Sequence, residues 1–252
     1  MIFFAAALAA SLSTCAASPY GLPSNSNNSL EICHTGYYTQ YNTSKYDPEI
    51  VIWKITSDTA SSCGKRKGNF HKDMMADNKD APPSDYTGSG YDKGHMADAA
   101  DFTFNEDEEI DTFNMTNMTP QLPGLNRGGW KWLETLSRVY AIKYNEVIVY
   151  SGPVFGINDG KLNNQVDIPE YFWKVIYIPS INKAISVLVP NTNINGKDIL
   201  DYIVSVNKIE SEIGIKIPLP SNYDKTITED KSNWIEKFSI LSNSIKQKCQ
   251  KN

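Results

Sequence analysis

Three short polar segments carry the side chains with the clearest chemical potential. The first is the run Asp92-Lys93-Gly94-His95, and the second contains Asn117. The third begins at Asn126 and continues through Glu134 and Arg138. A neutral histidine can accept a proton near neutral pH, and amide and carboxylate oxygens are ligands that Mg²⁺ prefers. Together the segments indicate metal-assisted attack on a phosphodiester, with the arginine available to hold a phosphate oxygen.

These segments resemble the DNA/RNA non-specific endonuclease family, whose active site is a ββα-metal finger. Residues 85–95 match the approach to the family's Asp-Arg-Gly-His tetrad, residues 114–121 match its Pro-Gln block, and residues 125–134 match its Leu-Asn-x-x-x-Trp block. The resemblance covers roughly residues 50 to 215. The departure is Lys93, where the family usually has arginine. Lysine keeps the charge but lacks the planar fork that grips phosphate oxygens.

The resemblance implies a role for each matching residue. His95 would be the general base that activates water. Asn126 would be the sole direct protein ligand of Mg²⁺, for which Mn²⁺ is a substitute, and Glu134 would orient metal-bound water. Asn117 and Asp92 would support the site by hydrogen bonding. The products would carry a 5′-phosphate and a 3′-hydroxyl, and the substrates would be both DNA and RNA.

The implied phosphate contacts are Lys93, Arg138 and an upstream arginine. Arg66 is the best match for that upstream position, with Lys67 as the alternative. Two simpler interpretations stay open for the helix that follows. Asn126 could serve only as a helix N-cap, and Glu134 and Arg138, four residues apart, could form an ordinary helix ion pair.

Hydrophobic patterning predicts the elements that must position these residues. The predicted strands are 49–55, 146–151, 171–178 and 184–189, and the predicted helices are 126–144, 198–213 and 230–248. Residues 72–85 predict a loop. Helices inserted among runs of strands favour an α+β fold with a mostly antiparallel sheet, which is also the setting that a ββα-metal finger requires.

The N-terminal residues predict export. Residues 1–17 contain no charged side chain and include an apolar run that is too short to span a bilayer, which is typical of a signal peptide. An alternative is lipoprotein processing at Cys15. Residues 18–45 are then expected to be a leader and residues 46–252 a single nuclease domain. No later segment predicts a membrane span, so the expected location is secreted or periplasmic.

Removal of the signal would leave Cys33, Cys63 and Cys249. An odd number in an exported protein predicts one disulfide and one remaining thiol. Cys33–Cys63 is the favoured pair because both residues precede the catalytic segments. No cysteine pair has the spacing of a structural zinc site.

The formal net charge of −5 opposes binding of a polyanion, so binding must rest on a local basic patch. The candidates are Lys65-Arg66-Lys67, His71-Lys72, Lys93, Arg127, Lys131 and Arg138. The leading hypothesis is an exported, Mg²⁺-dependent endonuclease. Lys93 and the acidic charge motivate an alternative, a weak or inactive nucleic-acid-binding protein that retains the nuclease fold. A third hypothesis is an effector nuclease with an inhibitor protein as partner. Both monomer and homodimer stay open.

Overall fold

A computed structural model describes residues 18–24, 29–156 and 160–235. Its strands are β1 Ser29–Cys33, β2 Tyr37–Asn42, β3 Asp47–Thr56, β4 Asp92–His95, β5 Met118–Gln121, β6 Glu146–Val154, β7 Lys161–Leu162, β8 Val166–Asp167, β9 Tyr171–Ile178 and β10 Lys183–Pro190. Its α-helices are α1 Ser57–Ala60, α2 Glu106–Asp111, α3 Lys131–Tyr144, α4 Val206–Ile213 and α5 Ser232–Ile235.

The framework is a six-stranded sheet in the order β1-β2-β3-β6-β9-β10, in which every neighbouring pair is antiparallel. The predicted α+β fold is therefore confirmed. Successive side chains of a strand point to opposite faces of a sheet, and here apolar side chains occupy both faces. In β3, Val51 and Trp53 join the core beneath α3, whereas Ile50 and Ile52 join the core beneath α4.

Helix α3 covers the face of the sheet that carries the candidate site. Leu133, Leu136 and Tyr140 are buried in the core shared with β3 and β6. The helix predicted over 126–144 is present from Lys131 onward, but the preceding turn, Leu125–Trp130, is kinked at Gly128, where the backbone is not helical. This kinked turn matters for the site because it contains Asn126.

The expected leader over 18–45 is wrong for residues 29–42, which form the two strands β1 and β2 at one edge of the main sheet. The domain therefore begins well before residue 46. The sequence Tyr37–Asn42 hides this strand because it has no alternation of apolar and polar residues. All six of its residues are buried, including Thr39 and Gln40.

The single helix predicted over 198–213 is interrupted. Gly196–Tyr202 is 3-10 helical, and α4 starts only after Ser205, whose side chain accepts a hydrogen bond from the Lys208 backbone. Between them the chain is fixed to the edge of β10, where Val204 N donates to Ser186 O at 2.9 Å. This strand-like pairing overrides the continuous helical pattern of the sequence.

Several predictions concern residues outside the described ranges. They include the signal peptide over 1–17, Cys249, and most of the helix predicted over 230–248, of which Ser232–Ile235 is helical. Both Cys33 and Cys63 are disulfide-bonded, and their pairing with each other stays a prediction. Within the described ranges no helix is long and apolar enough to cross a membrane.

Candidate active site

The short antiparallel pair of β4 and β5 holds His95 at the floor of the site. The register places His95 opposite Met118 and Gly94 opposite Thr119. A Cβ atom at Gly94 would lie 2.6 Å from the side-chain oxygen of Gln121, so only glycine permits this close approach. The glycine of the Asp92–His95 run is thus needed to bring the two strands together.

The Asn117 side chain fixes the chain where it leaves β4. Its Oδ1 accepts from Ala97 N at 2.9 Å, and its Nδ2 donates to Ala97 O at 2.9 Å and to Thr112 O at 2.8 Å. Asn117 is fully buried, so all three bonds are shielded from water. Asn117, predicted to support the site by hydrogen bonding, thus holds the backbone of Ala97, two residues after His95.

The imidazole of His95 lies among apolar rings with little access to solvent. Its ring centroid is 4.9 Å from that of Phe113 and 5.6 Å from that of Phe70. Burial, together with the positive charge of nearby Arg66, lowers the pKa of His95 from 6.5 to about 4 although Asp98 opposes the shift. Its Nε2 has no hydrogen-bond partner among the described residues. A neutral imidazole with an unused ring nitrogen is the form that a general base needs.

The kinked turn Leu125–Trp130 positions Asn126 beside β4. Gly129 N donates to Ile194 O at 2.7 Å, and a Cβ atom at Gly128 would lie 2.4 Å from that same oxygen. The two glycines therefore allow the turn to press against the segment before Gly196. Asn126 Nδ2 donates to Asp92 Oδ2 at 2.9 Å, which leaves its Oδ1 as the atom that could bind a cation.

A buried charged cluster forms between α3, which carries Arg138, and the segment after β4, which carries Asp98 and Asp101. Arg138 Nη1 donates to Asp98 Oδ2 and, at 2.8 Å, to Asp101 Oδ1. Burial raises the pKa of Asp98, but Arg138 outweighs it and holds the value below normal. Burial, with repulsion from Asp98, raises the pKa of Asp101 to about 6 despite Arg138.

Glu134 is nearly buried at the edge of this cluster. Burial and the negative charge of Asp98 raise its pKa well above normal, while Lys174 and Arg138 oppose the shift. Lys174 reaches the cluster from β9 and is itself buried, with its Nζ 4.2 Å from a Trp130 ring centroid. A carboxylate in this environment is stabilised by an added positive charge.

These residues border one cleft of about 730 Å³. The predicted site residues that line it are Arg66, Asp92, Lys93, His95, Asn126, Glu134 and Arg138. Asn117 lies behind the wall, where it holds the backbone. Of the alternatives at the upstream basic position, Arg66 faces the cleft and stacks 4.5 Å from the Phe113 centroid, whereas Lys67 pairs with Glu106.

The remaining two histidines lie elsewhere. His34 Nε2 is 3.0 Å from Asp73 Oδ2, and neither His34 nor His71 lines the cleft. Arg138 binds two carboxylates, so its side chain already has partners other than a phosphate. Sequence reasoning missed Asp98, Asp101 and Lys174. No spacing rule links them to α3, because Asp101 meets Arg138 across 37 positions of the chain.

The fold of this chain is similar to one seen in a solved structure. The crystal structure of the EndoG/EndoGI complex superimposes with a TM-score of 0.73 at 27% identity, covering 79% of this chain and 88% of that one. A ββα unit that joins a histidine, an asparagine and a glutamate in one cleft of this fold defines a nucleic-acid hydrolase.

The sequence comparisons identify the family. The family model described as DNA/RNA non-specific endonuclease matches residues 16–225, and this chain belongs to that family. A nuclease of Nostoc sp. is 34% identical over 71% of this chain and 69% of that protein. A Serratia marcescens nuclease is 30% identical over 86% and 85%, and mitochondrial endonuclease G of Bos taurus is 31% identical over 68% and 64%. The resemblance stated from the motifs is confirmed.

Proposed function

We propose that this chain is an exported, Mg²⁺-dependent endonuclease that hydrolyses both DNA and RNA, with His95 as general base. The observation that carries the proposal is the buried, neutral His95, which has a ring nitrogen with no partner among the described residues and lines the same cleft as Asn126 and Glu134. A lone histidine suits proton transfer, and the flanking Arg66 and Lys93 suit a phosphodiester substrate.

The donor atoms of the site fit a hard divalent cation. The described residues contain no group of three or more His, Cys, Asp or Glu side chains that could hold a metal. Mg²⁺ needs few protein ligands because it keeps several waters, so Asn126 Oδ1 could be its sole direct protein ligand, while Glu134 in the same cleft would orient metal-bound water. When bound, the cation would supply positive charge that offsets the charge developing on the phosphate.

The chain's own residues account for the proton transfers and for binding. A water oxygen attacks phosphorus, and the His95 imidazole takes the proton that this water loses. The bond from phosphorus to the 3′ oxygen breaks, and that oxygen takes a proton from solvent, which gives a 3′-hydroxyl and a 5′-phosphate. Arg66 and Lys93 hold the phosphate oxygens during attack, while Asp92 and Asn117 keep the site in register.

Export is supported by the disulfide-bonded state of Cys33 and Cys63, since disulfides persist in oxidising compartments. Because relatives named as mitochondrial exist, fractionation is the direct check. Recovery of the processed chain from the periplasm or medium is expected, and retention of the unprocessed chain in the cytosol would contradict export. The similar EndoG structure is a complex with EndoGI in which EndoG is inhibited, which supports an inhibitor protein as a partner here too.

The activity test is a cleavage assay on plasmid DNA and on a structureless RNA, with Mg²⁺, Mn²⁺ or EDTA. Both substrates should be cut in Mg²⁺ and neither in EDTA, and the products should accept end-labelling only after their 5′-phosphates are removed. Asn126→Ala should raise the Mg²⁺ concentration needed for half-maximal rate. Binding of nucleic acid without cleavage at any Mg²⁺ or Mn²⁺ concentration would instead support the inactive binding protein motivated by Lys93.

A further inference from the structure

The guanidinium of Arg127 lies at the rim of the cleft. Its Nε donates to Asp92 Oδ2 at 2.8 Å, and its Nη2 donates to Asp92 Oδ1 at 2.6 Å. The side chain is nevertheless 71% exposed and lines the cleft together with Lys93. A guanidinium has five N–H donors, and these two bonds use two of them. The donors that remain lie on the edge of the fork away from Asp92.

Lys93 supplies charge to the same cleft without a fork. Its Nζ is 5.0 Å from the centroid of Phe70 and 5.5 Å from that of Tyr86. An ammonium held over aromatic rings offers a point charge, whereas a planar guanidinium can donate two parallel hydrogen bonds to one phosphate group. Arg127 is thus the cleft residue next to Lys93 that carries the geometry Lys93 lacks.

Asp92 fixes the direction of this guanidinium. The carboxylate that accepts both bonds from Arg127 also accepts a bond from the Asn126 amide, so two consecutive residues of the kinked turn are bonded to one side chain on β4. An exposed arginine normally loses much rotamer freedom when it binds a ligand. Here the carboxylate already limits that freedom, which favours binding of an anion at the outer edge of the fork.

We propose that Arg127 is a substrate-binding residue that holds a backbone phosphate of the nucleic acid through the N–H groups not bonded to Asp92. This inference rests on the proposed function, because it takes nucleic acid as the substrate. Asp92 acts as the positioning residue for Arg127 and Asn126 together. Arg127 therefore provides the planar contact at a cleft in which Lys93 provides charge alone.

The test is the salt dependence of binding, measured in a His95→Ala background with EDTA so that no cleavage occurs. A labelled duplex of about two turns is titrated at several salt concentrations. Adding Arg127→Gln should weaken binding about tenfold, as expected for loss of one hydrogen-bonded charged contact. It should also lower the slope of log K against log salt by about 0.9, the value for one phosphate contact.

Lys208→Gln is the matched control, because Lys208 is an exposed lysine on α4 that pairs with Glu212 outside the cleft. It removes the same charge and should leave the slope unchanged. Adding Lys93→Arg to the Arg127→Gln protein should restore most of the lost affinity, because the new guanidinium replaces the missing one. The same substitution in the protein that keeps Arg127 should change the affinity much less.

An Arg127→Gln protein with an unchanged slope would overturn the proposal and assign Arg127 to positioning alone, especially if its cleavage rate fell. Circular dichroism on each variant separates these outcomes from misfolding. Failure of the proposed function has a different signature: a wild-type protein that never cleaves still yields a salt slope in the binding assay. A protein that binds no duplex at all contradicts both.

Discussion

Replacing Asn117 by alanine tests how the His95 strand is held in place. The substitution removes three buried hydrogen bonds, one from Ala97 N and two to the carbonyl oxygens of Ala97 and Thr112. Each bond contributes about 1 kcal/mol net, and the backbone groups left buried without a partner add to the cost. The expected loss in the free energy of unfolding is therefore about 3–5 kcal/mol, a large share of a typical domain's ~5–15 kcal/mol.

Urea unfolding at equilibrium measures this loss, with the midpoint lowered and the slope unchanged. Asn105→Ala is the control, because the Asn105 side chain also bonds the backbone, accepting from Asp107 N and Glu108 N, but at the exposed start of α2. Loss of that helix cap should cost only about 1 kcal/mol. Equal losses for the two variants would refute the reasoning that burial makes the Asn117 bonds expensive to remove. Under conditions where the Asn117→Ala protein is folded, its cleavage rate should also fall, because Ala97 is close to His95.

Three further predictions follow from the buried charges. The NMR titration of His95 should have its midpoint at about pH 4. Because this pKa lies below the unfolded value of 6.5, protonation of His95 destabilises the fold as the pH falls from 6.5 to 4. A midpoint near 6.5 would contradict the burial argument. Arg138→Met should lower the free energy of unfolding, measured in urea, by about 3–5 kcal/mol, because it leaves Asp98 and Asp101 without their cation. A variant that is fully stable but binds nucleic acid more weakly would make Arg138 a phosphate contact instead. Lys174→Met should raise the pKa of Glu134 further, so that cleavage falls at neutral pH and recovers in alkaline buffer. Lys54→Met, at an exposed lysine, is the control and should leave the cleavage rate unchanged. A loss of cleavage that does not depend on pH would contradict the interaction between Lys174 and Glu134.

The central strands could be predicted from the sequence because their patterns are strong. Runs such as 146–151 and 171–178 are rich in β-branched and aromatic residues, and the strands found there extend at most three residues beyond the prediction. The short strands β4 and β5 could not be predicted, since a run containing Asp, Lys and Gly has little strand propensity. They pair because Gly94 leaves room for the Gln121 side chain and because the hydrogen bonds of Asn117 hold the segment after β4 in place.

The site was predictable where chemistry is concentrated in short motifs. His95, Asn126 and Glu134 are found in one cleft, as the motifs indicated. Contacts between distant segments could not be predicted, since no sequence pattern pairs Asp98 with Arg138 or places Lys174 of β9 beside α3. The same limit applies to Arg127, whose charge was visible in the sequence but whose bond to Asp92 depends on the kinked turn Leu125–Trp130.

The most direct test of the account compares plasmid cleavage by the wild-type chain, His95→Ala and His71→Ala in Mg²⁺. His71 is a suitable control because its Nδ1 bonds the Asn69 carbonyl outside the cleft. Loss of the general base should slow His95→Ala by about 10²–10⁴-fold, while His71→Ala keeps the wild-type rate. A His95→Ala protein that cleaves as fast as the wild type would contradict the central claim that His95 activates the attacking water.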